Sequence, residues 1–240
     1  MPAMSMYETA KAVGHRDPYT DLRQRIISLD LPPGTQLSRT ELQARYSVSS
    51  TPMRDALLRL REEGLVEIYP QSRTVVSRID LSLAREAHFL RSSVERNIVR
   101  ELAARTPPGL VEMLRRIVAM QQYTCDAGQL DIFTDLDQSF HETLFKAAGY
   151  MRNFLVIRRE SVHIDRLRAL HLPMGDKASR ILQEHVAIVD AIEAAAPDKA
   201  DEAMAHHLSQ SIAVASSLSD GRPDYFTPPG GSGAIRGDIA

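Results

Sequence analysis

Residues 37–70 read Leu-Ser-Arg-Thr-Glu-Leu-Gln-Ala-Arg-Tyr-Ser-Val-Ser-Ser-Thr-Pro-Met-Arg-Asp-Ala-Leu-Leu-Arg-Leu-Arg-Glu-Glu-Gly-Leu-Val-Glu-Ile-Tyr-Pro. A short helix, about Ser38 to Arg45, is followed by a tight polar turn and a second helix. That second helix starts at Ser50-Thr-Pro52 and stops at Gly64. Two apolar extended pieces follow, Leu65–Tyr69 and Thr74–Val76, joined by Pro70-Gln-Ser-Arg73. Helix, turn, helix and β-ribbon in that order predict a winged helix-turn-helix, which lays its second helix in the major groove of DNA. Ser50 or Thr51 is placed to cap that helix, and Pro52 fits a first turn where no intrahelical donor is lost. Asp55 suits the same turn because the helix dipole favours an acid there. Met53, Ala56, Leu57, Leu60 and Leu65 recur at three- and four-residue steps and pack inward. Ser49, Ser50, Thr51 and Arg54 are left on the outer face at the N-terminal end, the part of a recognition helix that meets bases and phosphates. Arg54 can pair in bidentate fashion with guanine or clamp a phosphate. The plain alternative for Arg54 is a solvated helix charge paired with Asp55 or Glu62. Ser49–Thr51 can donate hydroxyls and backbone amides to phosphate.

Working outward, residues 18–78 resemble the DNA-binding domain of the GntR family of bacterial transcription regulators. The resemblance runs through Leu22-Arg23, Ile26, Leu31-Pro-Pro-Gly34, Leu37, Glu41-Leu42, Val48-Ser49, Thr51-Pro-Met-Arg-Asp-Ala-Leu57, Arg59-Leu60 and Glu63-Gly-Leu-Val66. The chain departs from the family pattern in four places. Ser47 and Ser50 stand where the family usually has Gly and Arg, Arg39-Thr40 replaces a Glu-Arg pair, and the wing glycine is Arg73. The resemblance therefore implies DNA contacts from Arg39, Thr40 and Arg73 beside those of the recognition helix, with a changed base preference. Arg73 at the wing tip is a candidate for the minor groove or a phosphate, or else an exposed turn charge.

Composition bounds the rest. At 240 residues two compact domains are expected, and a formal net charge of −2 means that any nucleic-acid footprint must be local. Between positions 16 and 78 every cation is arginine. One cysteine, Cys125, excludes an intramolecular disulfide and fits a reducing compartment. No apolar run approaches ~18 residues and no signal peptide opens the sequence, so a cytoplasmic protein with no membrane partner is expected.

From Leu81 to Leu218 the pattern becomes a string of amphipathic helices, read as 82–104, 108–126, 129–148, 151–171, 175–195 and 199–219. Breaks fall at Thr106-Pro-Pro-Gly109, Ala148-Gly149, Leu172-Pro-Met-Gly175 and Ala196-Pro197. The expected protein is thus mainly α, an N-terminal winged helix-turn-helix followed by a C-terminal all-α helical bundle. The expected divisions are a flexible N-terminus (1–15), the DNA-binding domain (16–78), a linker (79–82), the helical domain (83–220) and a tail (221–240) that is disordered or an ordered arm only at its start.

A second constellation lies within the helices. Asp137 and His141 are spaced i, i+4 and project from one face, which also carries Phe133, Phe140, Leu144 and Ala148. His185 is in line with Ile181, Ile188 and Ile192, and His207 follows Met204 on the last helix. Three imidazoles and a carboxylate on inward stripes are costly unless paired or bound to metal. Bundles build metal sites from side chains on facing helices, and this donor set suits Zn, Ni, Mn or Fe. The alternatives are a hydrogen-bonded core histidine at each position and an Asp137–His141 helical ion pair.

Residues 82–219 resemble the FCD type of effector-binding domain found behind this winged helix in the FadR subgroup. The similarity rests on Asp137/His141, Glu184-His185 and, twenty-two residues beyond, His207-Leu208. It implies a metal held by Asp137, His141, His185 and His207, with Zn or Ni placed before Mn or Fe, and it makes His207 rather than His206 the ligand. Four protein ligands on an octahedral ion leave two positions for water or a small carboxylate effector. Arg91 on the stripe Ala87–Val94–Ile98 matches the family's Arg before Glu95 and would clamp a second carboxylate. A structural pair with an acid such as Asp137 is the other reading, and Arg166 is a further effector candidate. His88, His163 and His171 read as packing or surface residues. The implied protein is a homodimer reading an inverted-repeat operator in double-stranded DNA, with a small organic acid setting its affinity. Two other readings stand beside it: a metal sensor or metal-free pocket, and a metal-dependent hydrolase. The hydrolase is disfavoured because four protein ligands saturate a tetrahedral zinc and no general base is in view.

Overall fold

The computed structural model describes residues 17–70 and 72–228. The expectations for residues 1–15 and for the end of the tail, 229–240, lie outside the described residues. The chain divides between Arg78 and Ile79 into two compact units.

The N-terminal unit begins with a helix that the periodicity did not announce, α1 (Pro18–Ile27). Asp17 caps it, accepting from the Thr20 amide at 3.1 Å, and Pro18 occupies the first turn. Strand β1 (Gln36–Leu37) precedes α2 (Arg39–Tyr46), whose cap is Ser38 accepting from the Glu41 amide. Helix α3 (Ser50–Glu62) is capped by Ser49, not by Ser50 or Thr51, and no side-chain cap bond forms there. Strands β2 (Val66–Tyr69) and β3 (Arg73–Val76) form the antiparallel wing, and β1 pairs with the far side of β3. The register sets Tyr69 opposite Arg73 and Val66 opposite Val76. Leu22 and Ile26 of α1 share a buried core with Met53, Leu57 and Leu60 of α3 and with Leu65. That core holds the outer face of α3 toward solvent.

The C-terminal unit is helical. It comprises α4 (Leu81–Ala104), α5 (Leu110–Asp126), α6 (Leu130–Ala148), α7 (Met151–Glu160), α8 (Val162–His171), α9 (Lys177–Glu193), α10 (Pro197–Ala213) and α11 (Ala215–Gly221). The single helix expected over 151–171 is two. Ser161, buried, turns its hydroxyl back onto the Ile157 carbonyl at 2.6 Å, and the helix breaks at that residue. The segment 199–219 is likewise divided between α10 and α11. The expected linker 79–82 is not an open connector. Ile79 and Asp80 are buried, and the Asp80 carboxylate caps α4 by accepting from the Ser82 and Leu83 amides. The tail is an ordered arm at its start: Pro223–Tyr225 form a 3-10 turn and Phe226, 2% exposed, lies in a parallel bridge with Ile79. Among the described residues no helix is long and apolar enough to cross a membrane.

Candidate metal centre and nucleic-acid interface

Asp137 and His141 come from α6, His185 from α9 and His207 from α10, and all four are buried. One ligand atom from each lies within 4.8 Å of all the others. Four residues separated by as much as seventy positions thus share one point because α6, α9 and α10 face a common core.

Each imidazole is oriented through its other nitrogen. His141 Nδ1 lies 2.6 Å from Glu95 Oε2, His185 Nδ1 2.9 Å from Gln121 Oε1, and His207 Nδ1 2.8 Å from Glu184 Oε2. These partners are acceptors, so they assign the proton to Nδ1 and leave an Nε2 lone pair on each ring. Such oxygen partners are the usual means of aiming a metal-binding imidazole. The Nε2 atoms of His141 and His207 then face one another at 3.2 Å, two acceptors with no donor between them. Asp137 Oδ1 and His185 Nε2, 3.7 Å apart, are buried without a hydrogen-bond partner. Opposed lone pairs and two orphaned buried acceptors are the pattern a cation resolves. The donor set therefore fits a divalent transition metal.

Protonation favours the same state. Burial pushes His185 and His207 down to about 3, and His141 is likewise lowered well below the ordinary value by burial and by Arg91. For Asp137 burial acts upward, but the Arg168 guanidinium leads the influences that outweigh it and hold the carboxyl well below the usual range. The ligands are thus neutral imidazoles and an ionised carboxylate.

A pocket opens beside this centre, bounded by Arg91 and Glu95 of α4, Asp137 and His141, Arg158 of α7 and Arg168 of α8. Arg91 is paired with Glu95 at 2.6 Å rather than with Asp137, whose outer oxygen accepts from Arg168. Arg158 is paired with Asp165 at 2.9 Å. Arg166 does not line the pocket: it is fully buried with Nη2 2.9 Å from His163 Nδ1, one residue pair removed from Arg168. The helical register explains the exchange, since Arg168 and Asp165 share the inward turn of α8 while Arg166 points elsewhere. His206 is exposed, as its position on α10 required. Arg158, Arg168 and Gln121 were missed by the sequence reading. A polar residue on the apolar stripe Leu114–Val118–Gln121 was the available signal for the last.

In the N-terminal unit Arg39, Thr40, Ser49, Ser50, Thr51, Arg54 and Arg73 are all exposed. Ser49 leaves its hydroxyl uncommitted to capping. Arg23 and Arg59 are occupied structurally, Arg23 on Glu63 at 2.7 Å and Arg59 stacked 3.5 Å above the Tyr19 ring. Arg73 lies 5.0 Å from the Tyr69 ring across the wing. The left-handed conformation of Ser47 (φ 53°, ψ 42°) closes α2 and accounts for the glycine that related sequences prefer there.

A winged helix-turn-helix joined to an all-helical unit with a buried His/Asp cluster is the build of a transcription regulator, and the comparisons agree. The chain belongs to the GntR family: the model for bacterial regulatory proteins, gntR family, matches residues 17–76, and the FCD domain model matches residues 86–210. It is 32% identical over 235 residues to an uncharacterized HTH-type transcriptional regulator in an unstable DNA locus of Streptomyces ambofaciens, covering 98% of each chain. It is 28% identical to the HTH-type transcriptional repressor RspR of Escherichia coli (strain K12), covering 87% of this chain and 92% of that one. The solved structure of E. coli McbR/YncC superposes with a TM-score of 0.71 at 18% identity, covering 84% and 96% of the two chains, and so shares the fold. These relatives are regulators rather than enzymes, and regulators of this family bind DNA operators.

Proposed function

We propose that this protein is a homodimeric, effector-responsive transcription regulator whose DNA affinity is set by a small carboxylate bound beside a metal in the helical unit. The reading is carried by the convergence of Asp137, His141, His185 and His207 with every outer nitrogen already held. A divalent transition ion there, zinc or nickel by donor type, would supply charge to which an effector carboxylate is drawn. Arg91, Arg158 and Arg168 would then bind and orient that acid, exchanging part of their present carboxylate pairing for the incoming one. The buried neighbours Phe154 and Ile157 exclude water from that exchange and strengthen it.

On the DNA side, Ser49, Ser50 and Thr51 would donate to phosphates, Arg54 would read a base edge, and Arg39, Thr40 and Arg73 would flank them. Two such units related by a two-fold axis require an inverted-repeat operator. An acid that prefers one setting of the dimer shifts DNA affinity by its differential affinity and no more.

The test has two arms. Metal analysis of untagged protein is expected to find about one divalent ion per chain, lost in Asp137→Ala and His207→Ala; wild-type protein purified without metal and refusing zinc would overturn the metal reading. Selection from a random duplex pool is expected to return an inverted repeat. Against that sequence Arg54→Ala should weaken binding by about 1–3 kcal/mol at fixed salt.

A further inference from the structure

The tail and α8 together form a device that the reading above does not use. Residues 225–227 run beside Ile79: the Ile79 amide donates to the Tyr225 carbonyl at 2.8 Å, and the Thr227 amide donates to the Ile79 carbonyl at 3.0 Å. Both backbone groups of Ile79 are therefore engaged by the C-terminal segment. The Phe226 ring seals the bridge, packed in one apolar cluster with Ile79 and with Ile164 and Leu167 of α8. The next amide along, Asp80, donates to Nδ1 of His163, also on α8, at 3.0 Å. Ile79 directly follows Arg78, where the N-terminal unit ends. The attachment point of the DNA-binding unit is thus clasped between the tail and α8.

Other residues of α8 border or bond to the pocket. Arg168 donates to Asp137, a metal-site carboxylate, and Asp165 accepts from Arg158 of the pocket wall. One ten-residue helix therefore alternates its duties: His163, Ile164 and Leu167 hold the junction, while Asp165 and Arg168 hold the site. Any ligand that draws on Arg158 or Arg168, or any ion that draws on Asp137, changes what holds α8 in place. Packed helices respond to such changes as bodies rather than atom by atom.

We infer that α8 is the lever, and the Phe226 clasp the latch, by which occupancy of the Asp137 site reaches the base of the DNA-binding unit. The inference rests on the metal reading above and adds the regulation of that site. Its observable is local opening of the clasp, read by amide exchange at Ile79 and Thr227.

The experiment uses the full chain, stripped with EDTA and then titrated with zinc alone, with binding followed by calorimetry and exchange by mass spectrometry. Zinc binding together with a change of about threefold or more in exchange over peptides 77–83 and 222–228 supports the lever. Zinc binding without any such change overturns it and leaves the metal reading standing; failure to bind zinc removes both. Phe226→Ala should keep zinc affinity within about threefold yet abolish the zinc-dependent change in exchange at Ile79. Phe226→Leu, which preserves an apolar latch, should restore it. A Phe226→Ala protein that still shows the wild-type response would overturn the latch.

Discussion

The three histidines of the candidate metal centre are oriented by oxygen atoms outside the proposed ligand set. Glu95, Gln121 and Glu184 hold the outer nitrogens of His141, His185 and His207, so removing one frees a ring to rotate. Glu184→Ala or Gln121→Ala should lower zinc affinity by about 10–100-fold while leaving the fold intact. Competition with a chromophoric chelator measures this, and an unchanged affinity would show that packing alone aims the rings. The same residues set the acid response of metal-free protein. His185 and His207 titrate at about 3 in the folded chain but near the ordinary 6.5 when unfolded. Below 6.5 the unfolded chain takes up protons that the folded chain refuses, so stability falls with pH from 6.5 toward 3. The slope approaches roughly 1 kcal/mol per pH unit for each histidine. Urea unfolding of the stripped protein at pH 7.5 and 5 would register the loss, and equal midpoints would mean that the rings are not neutral and buried.

At the scale of elements, α2 ends on a residue that dislikes its backbone. Ser47 sits in the left-handed region that glycine enters without steric cost. Ser47→Gly should therefore stabilise the N-terminal unit by about 1 kcal/mol, or about 4–8 °C in Tm for a unit of this size. Thermal melts of the two proteins decide it; a lower Tm would mean that the serine hydroxyl compensates the strain. Helices α3 and α6 were legible because a three-to-four-residue apolar stripe and a clear stop signal coincide in each. Helix α1 was missed because its buried aliphatic side chains are only Leu22 and Ile26, too few to announce a period. The break at Ser161 was invisible for a different reason: apolar residues continue on both sides of it, and neither proline nor glycine marks it.

For the whole molecule, two units with separate cores should respond separately to ligand. The candidate zinc ligands all lie within the helical unit, so in differential scanning calorimetry zinc should raise that unit's transition and leave the N-terminal one in place. At a hundred times the Kd the gain is about 2.7 kcal/mol, a value fixed by mass action rather than by the details of the site. Equal displacement of both transitions would instead demonstrate a single cooperative unit, and no displacement would argue against zinc as a ligand of the native state.

The helix-turn-helix-wing order of residues 38–76, the outward face of α3 and the choice of Asp137, His141, His185 and His207 as candidates were all contained in the one-dimensional pattern. Periodicity and residue chemistry are local properties, so they can be read without knowing which helices meet. Which guanidinium faces the pocket could not be read that way, because Arg166 and Arg168 differ only by a rotation about α8 that neighbouring helices decide. The same holds for Gln121 against His185 and for Phe226 against Ile79, pairs separated by 64 positions or more whose meeting has no local signature. Those contacts exist because burying them together lowers the free energy of the entire packed unit, and no short window of sequence carries that sum.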